Sequence, residues 1–156
     1  MAFENNVFIN CPFDADYKSL LRPMLFAIVY LGLQPRIALE TMDAGQARME
    51  KISTLIRESK FSIHDLSRME AARAGELFRL NMAFELGIDF GCRYFGDETQ
   101  AGKKALVLES QAHRYKAALS DLSGCDIESH GDLPYRVVTV VRNWLKNTCK
   151  IPAVGP

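Results

Sequence analysis

The order of apolar and amphipathic segments predicts a doubly wound α/β domain with a mostly parallel sheet of about five strands. Short apolar runs of strand length recur at Val7-Phe8-Ile9, residues 35–39, Phe61-Ser62-Ile63 and Ala105-Leu106-Val107-Leu108. Each run leads into a longer stretch whose apolar residues fall at helical spacing. The chain has 156 residues, 48% of them hydrophobic, which suits one domain with a substantial core.

In order, Val7-Phe8-Ile9 reads as a buried strand stopped by the turn Asn10-Cys11-Pro12-Phe13-Asp14. Over residues 16–31 a helical stripe comprises Tyr17, Leu20, Leu21, Met24, Leu25 and Ile28. Pro23 implies a late start or a bend there, and Gly32 a stop. Residues 35–39 form the second strand, followed by a loop over residues 40–45. A second helix spans residues 48–58, with Met49, Ile52, Leu55 and Ile56 inward. The third strand, Phe61-Ser62-Ile63, ends at His64-Asp65-Leu66-Ser67-Arg68.

A turn through Gly75 precedes a helix whose apolar stripe is Leu77, Leu80, Phe84 and Ile88, ending between Gly91 and Gly96. Residues 97–102 read as loop, and Lys103 and Lys104 as flanks of the fourth strand. Residues 111–122 suit a short helix and Cys125-Asp126-Ile127 a weak fifth strand. Asp132 is expected to cap a final helix with Val137, Val138, Val141, Trp144 and Leu145 inward. Residues 1–150 thus read as one domain and residues 151–156 as a loose tail.

Composition narrows the function classes. Nineteen basic and nineteen acidic residues cancel, so no global field favours nucleic acid or an anionic membrane. Cys11, Cys92, Cys125 and Cys149 lie far apart, which suits neither a zinc site nor a disulfide framework. Free thiols, a short polar start and no membrane span point to a cytoplasmic protein.

In doubly wound sheets ligands bind outside the carboxyl ends of the strands. The loop after the first strand carries Asn10 and Phe13, and the loop after the third carries Asp65, Ser67 and Arg68. The next helix carries Asn81 and Glu85, one turn apart. A carboxylate beside an apolar stripe is unusual unless it is paired or functional, although a helical Glu is more often a partly solvated surface residue. Sugar hydroxyls need partners such as Asp, Asn or Ser, and an aromatic can stack on a base. Other candidates read as structural: His64 as a hydrogen-bonded strand-end residue, His113 and His130 as surface, and Cys11 as a thiol with nothing to activate it. Arg48 and Lys51 suit a phosphate or, equally, a solvated helix face.

Val7-Phe8-Ile9-Asn10-Cys11-Pro12-Phe13, then Ser62-Ile63-His64-Asp65-Leu66-Ser67, then Phe84-Glu85-Leu86-Gly87 resembles the nucleoside 2-deoxyribosyltransferase pattern. The same order, with a helical Glu after the third strand, resembles TIR domains. That resemblance, over roughly residues 7–108, implies a flavodoxin-like three-layer fold and cleavage of an N-glycosidic bond in a nucleotide or nucleoside. Residues 80–83, Leu80-Asn81-Met82-Ala83, depart from the Asp-x-Gly-Thr of deoxyribonucleoside transferases. Glu85 would act as nucleophile or electrostatic stabiliser of an oxocarbenium-like centre, and Asp65 on the ribose or the leaving base. Asn10, Phe13, Ser67, Arg68 and Asn81 would bind substrate. NAD or another nucleotide would be substrate rather than cofactor, no metal is implied, and a homo-oligomer is expected, with a role in bacterial defence or signalling. The alternatives are a non-catalytic nucleotide-binding or self-associating TIR-like module, and a plain scaffold in which Glu85 pairs with Arg68 or Lys51.

Overall fold

Five strands, β1 (Asn6–Asn10), β2 (Gln34–Ile37), β3 (Phe61–Asp65), β4 (Lys104–Glu109) and β5 (Ile127–Ser129), form one sheet in the order β2-β1-β3-β4-β5. All the pairings are parallel, so the sheet is wholly rather than mostly parallel. That order is flavodoxin-like, with its switch point between β1 and β3. The computed structural model describes residues 2–40, 47–69 and 80–152. Residues 41–45 of the expected 40–45 loop, the turn at Gly75, Leu77 and the last four residues lie outside the described residues.

Parallel strands need crossovers, and the helices fall on both faces of the sheet. On one face α2 (Lys18–Tyr30) and α6 (Pro134–Asn147) supply Leu20, Met24, Ile28, Val137, Val141 and Leu145 to a core with Val7, Ile9, Ile63 and Leu108. On the other, α3 (Arg48–Arg57) packs Ile52, Leu55 and Ile56 on Phe8, and α4 (Asn81–Phe95) packs Met82 and Leu86 on Val107. Alternate strand residues go to opposite faces. Each fully buried aliphatic side chain contributes about 2 kcal/mol. Two four-residue helices also lie among the described residues: α1 (Ala2–Asn5), and α5 (Glu98–Ala101), where Asp97 Oδ1 accepts from the Gln100 N–H at 3.0 Å.

Local chemistry explains the helix ends. α2 runs through Pro23, which can sit in a helix only by giving up one backbone bond. It stops at a Schellman motif: the Gly32 N–H donates to Val29 O at 2.9 Å and the Leu33 N–H to Ile28 O at 3.1 Å. Gly32 has φ +78°, which penalises any residue with a Cβ. Gly32→Ala is expected to lower stability by about 1 kcal/mol in urea unfolding. An unchanged midpoint would show that the cap relaxes freely.

Several expectations need correction. Met49 is exposed, because the buried stripe of α3 begins at Ile52. Residues 97–102 hold α5 rather than a plain loop, and residues 111–122 hold two 3-10 turns, Arg114–Ala117 and Ser120–Leu122. Asp132 does not cap α6: it sits at φ +57°, and Leu133 takes the cap position without a side-chain bond. Ile151, placed in a loose tail, packs partly buried against the α2–α6 core.

Candidate active site

The residues around the switch point are held by α4, whose phase differs from the sequence reading. Its buried face is Met82, Glu85, Leu86 and Asp89, while Leu80 and Phe84 are 61% and 58% exposed. Leu80 and Phe84 of the expected apolar stripe therefore face outward, Ile88 packs partly buried against the α3 core, and the helix turns two carboxyl groups toward the sheet. The reason lies beneath it: Asn10, Ser62 and His64 alternate onto this face of β1 and β3 and offer polar partners.

Asn10 ties three elements together. Its amide Nδ2 donates to Met82 O at 2.8 Å and contacts His64 Nδ1 at 3.0 Å. Both amide hydrogens are thereby used, which leaves His64 Nδ1 an acceptor and puts the ring proton on Nε2. That Nε2–H meets Asp89 Oδ2 at 3.0 Å, where the Ser62 hydroxyl also donates. Lys103 Nζ lies 3.1 Å from Asp89 Oδ1, close enough for an ion pair although not aligned as a hydrogen bond. The same ammonium donates to Ile56 O at 2.7 Å and to Ser59 O. Lys103 is buried in this network instead of merely flanking β4. Burial opposes ionisation of Asp89, but the His64 hydrogen bond, the Lys103 charge and the Ser62 hydroxyl outweigh it and hold the carboxyl at about 2.

Glu85 lies one turn beyond Met82 and has no such support. It is 5% exposed, and no hydrogen bond reaches its carboxyl among the described residues. Burial pushes it up from 4.5 to about 7, and the charge of Arg48, at the start of α3, offsets only part of that. A lone carboxyl titrating near neutrality is what acid–base or nucleophilic chemistry requires.

Asp65, at the end of β3, is fully buried on the opposite face. The Tyr17 hydroxyl donates to Oδ2, His130 Nε2 meets the same oxygen at 3.0 Å, and the Ser67 N–H donates to Oδ1 at 2.8 Å. The Asp132 N–H donates to His130 Nδ1 at 3.0 Å, so the ring proton sits on Nε2 and points at Asp65. Burial alone would raise the Asp65 carboxyl, but His130, Ser67 and Tyr17 outweigh it and hold it below the usual range. His130, expected at the surface, is fully buried. His130→Ala is expected to cost about 2 kcal/mol by stripping one donor from a buried carboxylate, and His130→Gln to recover part of it. Equal unfolding midpoints for wild type and His130→Ala would contradict this.

Burial pushes the Cys11 thiol well up, and the charges of Asp65, Glu85 and Asp14 push it further. Such a thiol stays protonated and is no nucleophile. Phe13 packs partly buried against both cores. Arg68 pairs with Asp14 at 3.6 Å. Asn81 is exposed, so it does not share the buried face of Glu85. Asn10 and Glu85 thus lie on one face at the sheet's carboxyl end, Asp65 ends β3 at the same edge on the opposite face, and Asn81 is outside. Sequence reading overlooked Asp89, Lys103, His130 and the Tyr17 hydroxyl. Asp89 falls four residues after Glu85 on the same helix face, and His130 directly follows β5; both positions carried a usable signal.

No family model matches this chain. No curated protein matches it either. Among solved structures it is similar to the TIR domains of the activated Roq1 resistosome directly recognizing the pathogen effector XopQ. That likeness has a TM-score of 0.51 at 16% identity and covers 96% of this chain and 92% of that one. The shared feature is the fold.

Proposed function

We propose that this chain cleaves the N-glycosidic bond of a nucleotide or nucleoside, NAD included, with the Glu85 carboxylate at the anomeric carbon. The observation that carries it is Glu85 itself: a buried carboxyl without a hydrogen bond among the described residues, held near neutrality at the switch point of the sheet. In the reaction the bond from the anomeric carbon to the base breaks, its electron pair leaves with the base, and water completes the sugar. Positive charge develops on that carbon, and the ionised Glu85 stabilises or captures it.

Asp65 adds a second fixed negative charge to the same region. Its oxygens are taken by Tyr17, His130 and Ser67, so it touches substrate only if one of those bonds opens. Asn10 keeps one buried group available, Oδ1, which has no partner among the described residues and can accept a sugar hydroxyl. Phe13 would flank the base, and Ser67 and Arg68 the sugar or phosphate, with Asn81 at the rim.

The test is incubation with NAD and with nucleosides, with released base separated chromatographically. Because Glu85 acts ionised, release should rise with pH around a midpoint near 7. A flat profile between about pH 5 and about pH 9 would remove Glu85 from the chemistry.

A second reading, a self-associating signalling module, is favoured by exposed apolar side chains. Phe26 and Tyr30 stack on the outer side of α2, and Phe84 and Phe95 lie exposed on α4. The likeness to TIR domains taken from a resistosome supports a defence or signalling setting for either reading. Light scattering should then show a homo-oligomer that Phe84→Glu dissociates. A monomer at high concentration, together with base release, would leave catalysis alone standing.

A further inference from the structure

At the carboxyl end of β4 a cleft of about 290 Å3 is lined by Met69, Leu80, Tyr115 and Ala117, with Glu109 and Arg114 as its polar part. Neither Glu85 nor Asp65 lines it. Glu109 is 1% exposed. Its Oε1 accepts from the Ser110 N–H at 2.7 Å, from the Ser110 hydroxyl at 3.3 Å and from Arg114 Nη2. Arg114 Nη2 also donates to Ser67 O at 2.7 Å, which locks the pair to the end of β3. The other oxygen, Glu109 Oε2, is buried and takes no hydrogen bond among the described residues.

A buried carboxylate oxygen without a donor is costly and rare, and it marks where a ligand group can gain. Arg114 already balances the Glu109 charge, so a second cation would be repelled while a neutral N–H would be accepted. The walls are apolar and include an aromatic ring, which suits a flat heterocycle. The volume sits at the lower end of ligand pockets, enough for one base and too small for a dinucleotide.

We infer that this cleft binds a heteroaromatic ring bearing an exocyclic amino group, whose N–H donates to Glu109 Oε2. The ring packs against Met69, Leu80 and Tyr115. The site stands whether or not Glu85 cleaves a bond.

Calorimetric titration of the full chain with adenosine and with purine riboside, which lacks only the amino group, tests it. Adenosine should bind at least about tenfold more tightly. In Glu109→Gln the two should bind within about twofold of each other, since an amide can turn a donor toward the amino group. Ala117→Leu, a change at an exposed position that fills the cleft, should weaken both by about tenfold or more. Repeating the titrations in Glu85→Gln separates binding here from any bond cleavage, and the adenosine preference should persist there. Equal binding of the two nucleosides, no binding of either, a preference surviving Glu109→Gln, or indifference to Ala117→Leu would each overturn the inference.

Discussion

Glu85→Gln is expected to reduce base release by at least about a hundredfold while making the protein more stable at neutral and alkaline pH. The two effects share one cause. In the folded chain burial raises the carboxyl from 4.5 to about 7, so between those values the native state keeps a proton that the unfolded chain has released. Stability therefore falls as pH rises through that window and levels off above about 7. The full shift corresponds to about 3 kcal/mol. A neutral Gln does not ionise and avoids that loss, less the smaller cost of burying an unpaired amide. Urea unfolding at about pH 5 and about pH 8 checks the sign: the variant should gain on wild type only at the higher value. A variant that unfolds more easily at both values, or that still releases base at the wild-type rate, would show that Glu85 is an ordinary structural side chain. Stability given up at one residue in exchange for activity is the usual signature of a functional site.

Lys103→Met is expected to be the most damaging single change in the core, costing about 3–5 kcal/mol. Lys103 and Asp89 are both 2% exposed in side-chain area, 3.1 Å apart. Removing the ammonium leaves a buried carboxylate with only His64 and Ser62 as donors, takes the Lys103 donor from the Ser59 carbonyl, and leaves the Ile56 carbonyl with the Ser59 N–H. Adding Asp89→Asn to Lys103→Met should return part of the loss, because the charge that needed compensation is gone. If Lys103→Met unfolds within about 1 kcal/mol of wild type, the pair is incidental. The same network sets the acid limit. The Asp89 carboxyl falls from 3.8 in the unfolded chain to about 2 in the native state, so its contribution is complete above the first value and lost as pH drops toward the second. About 2 kcal/mol should disappear across that window in wild type. Much less should disappear in the double variant.

These two residues also show where sequence reading reached and where it stopped. The strands at Val7-Phe8-Ile9, Phe61-Ser62-Ile63 and Ala105-Leu106-Val107-Leu108 were legible because strands buried on both faces are continuous apolar runs. Gly32 was legible as a stop because a left-handed residue after a helix is usually glycine. Asn10, Asp65 and Glu85 could be grouped because the parallel fold sends the ends of β1 and β3 to one edge. α4 was misread in phase, since periodicity assumes that the apolar side of a helix is the buried one. Here the buried side carries Glu85 and Asp89, and Leu80 and Phe84 are left outside.

By itself, then, the sequence determined the fold class and the order of its five strands and four long helices. These follow from local patterns of a few residues, spaced at the periods of strand and helix. Only the tertiary structure decided which polar groups are paired and which are left alone. His130 reaches Asp65 across 65 positions, and His64 reaches Asp89 across 25. A buried charge is stabilised by whatever donors the fold brings within about 3 Å, and those donors come from distant parts of the chain. That is why Asp65 and Asp89 are held ionised, while Glu85, one turn from Asp89 on the same helix, takes no hydrogen bond among the described residues and is pushed by burial to about 7.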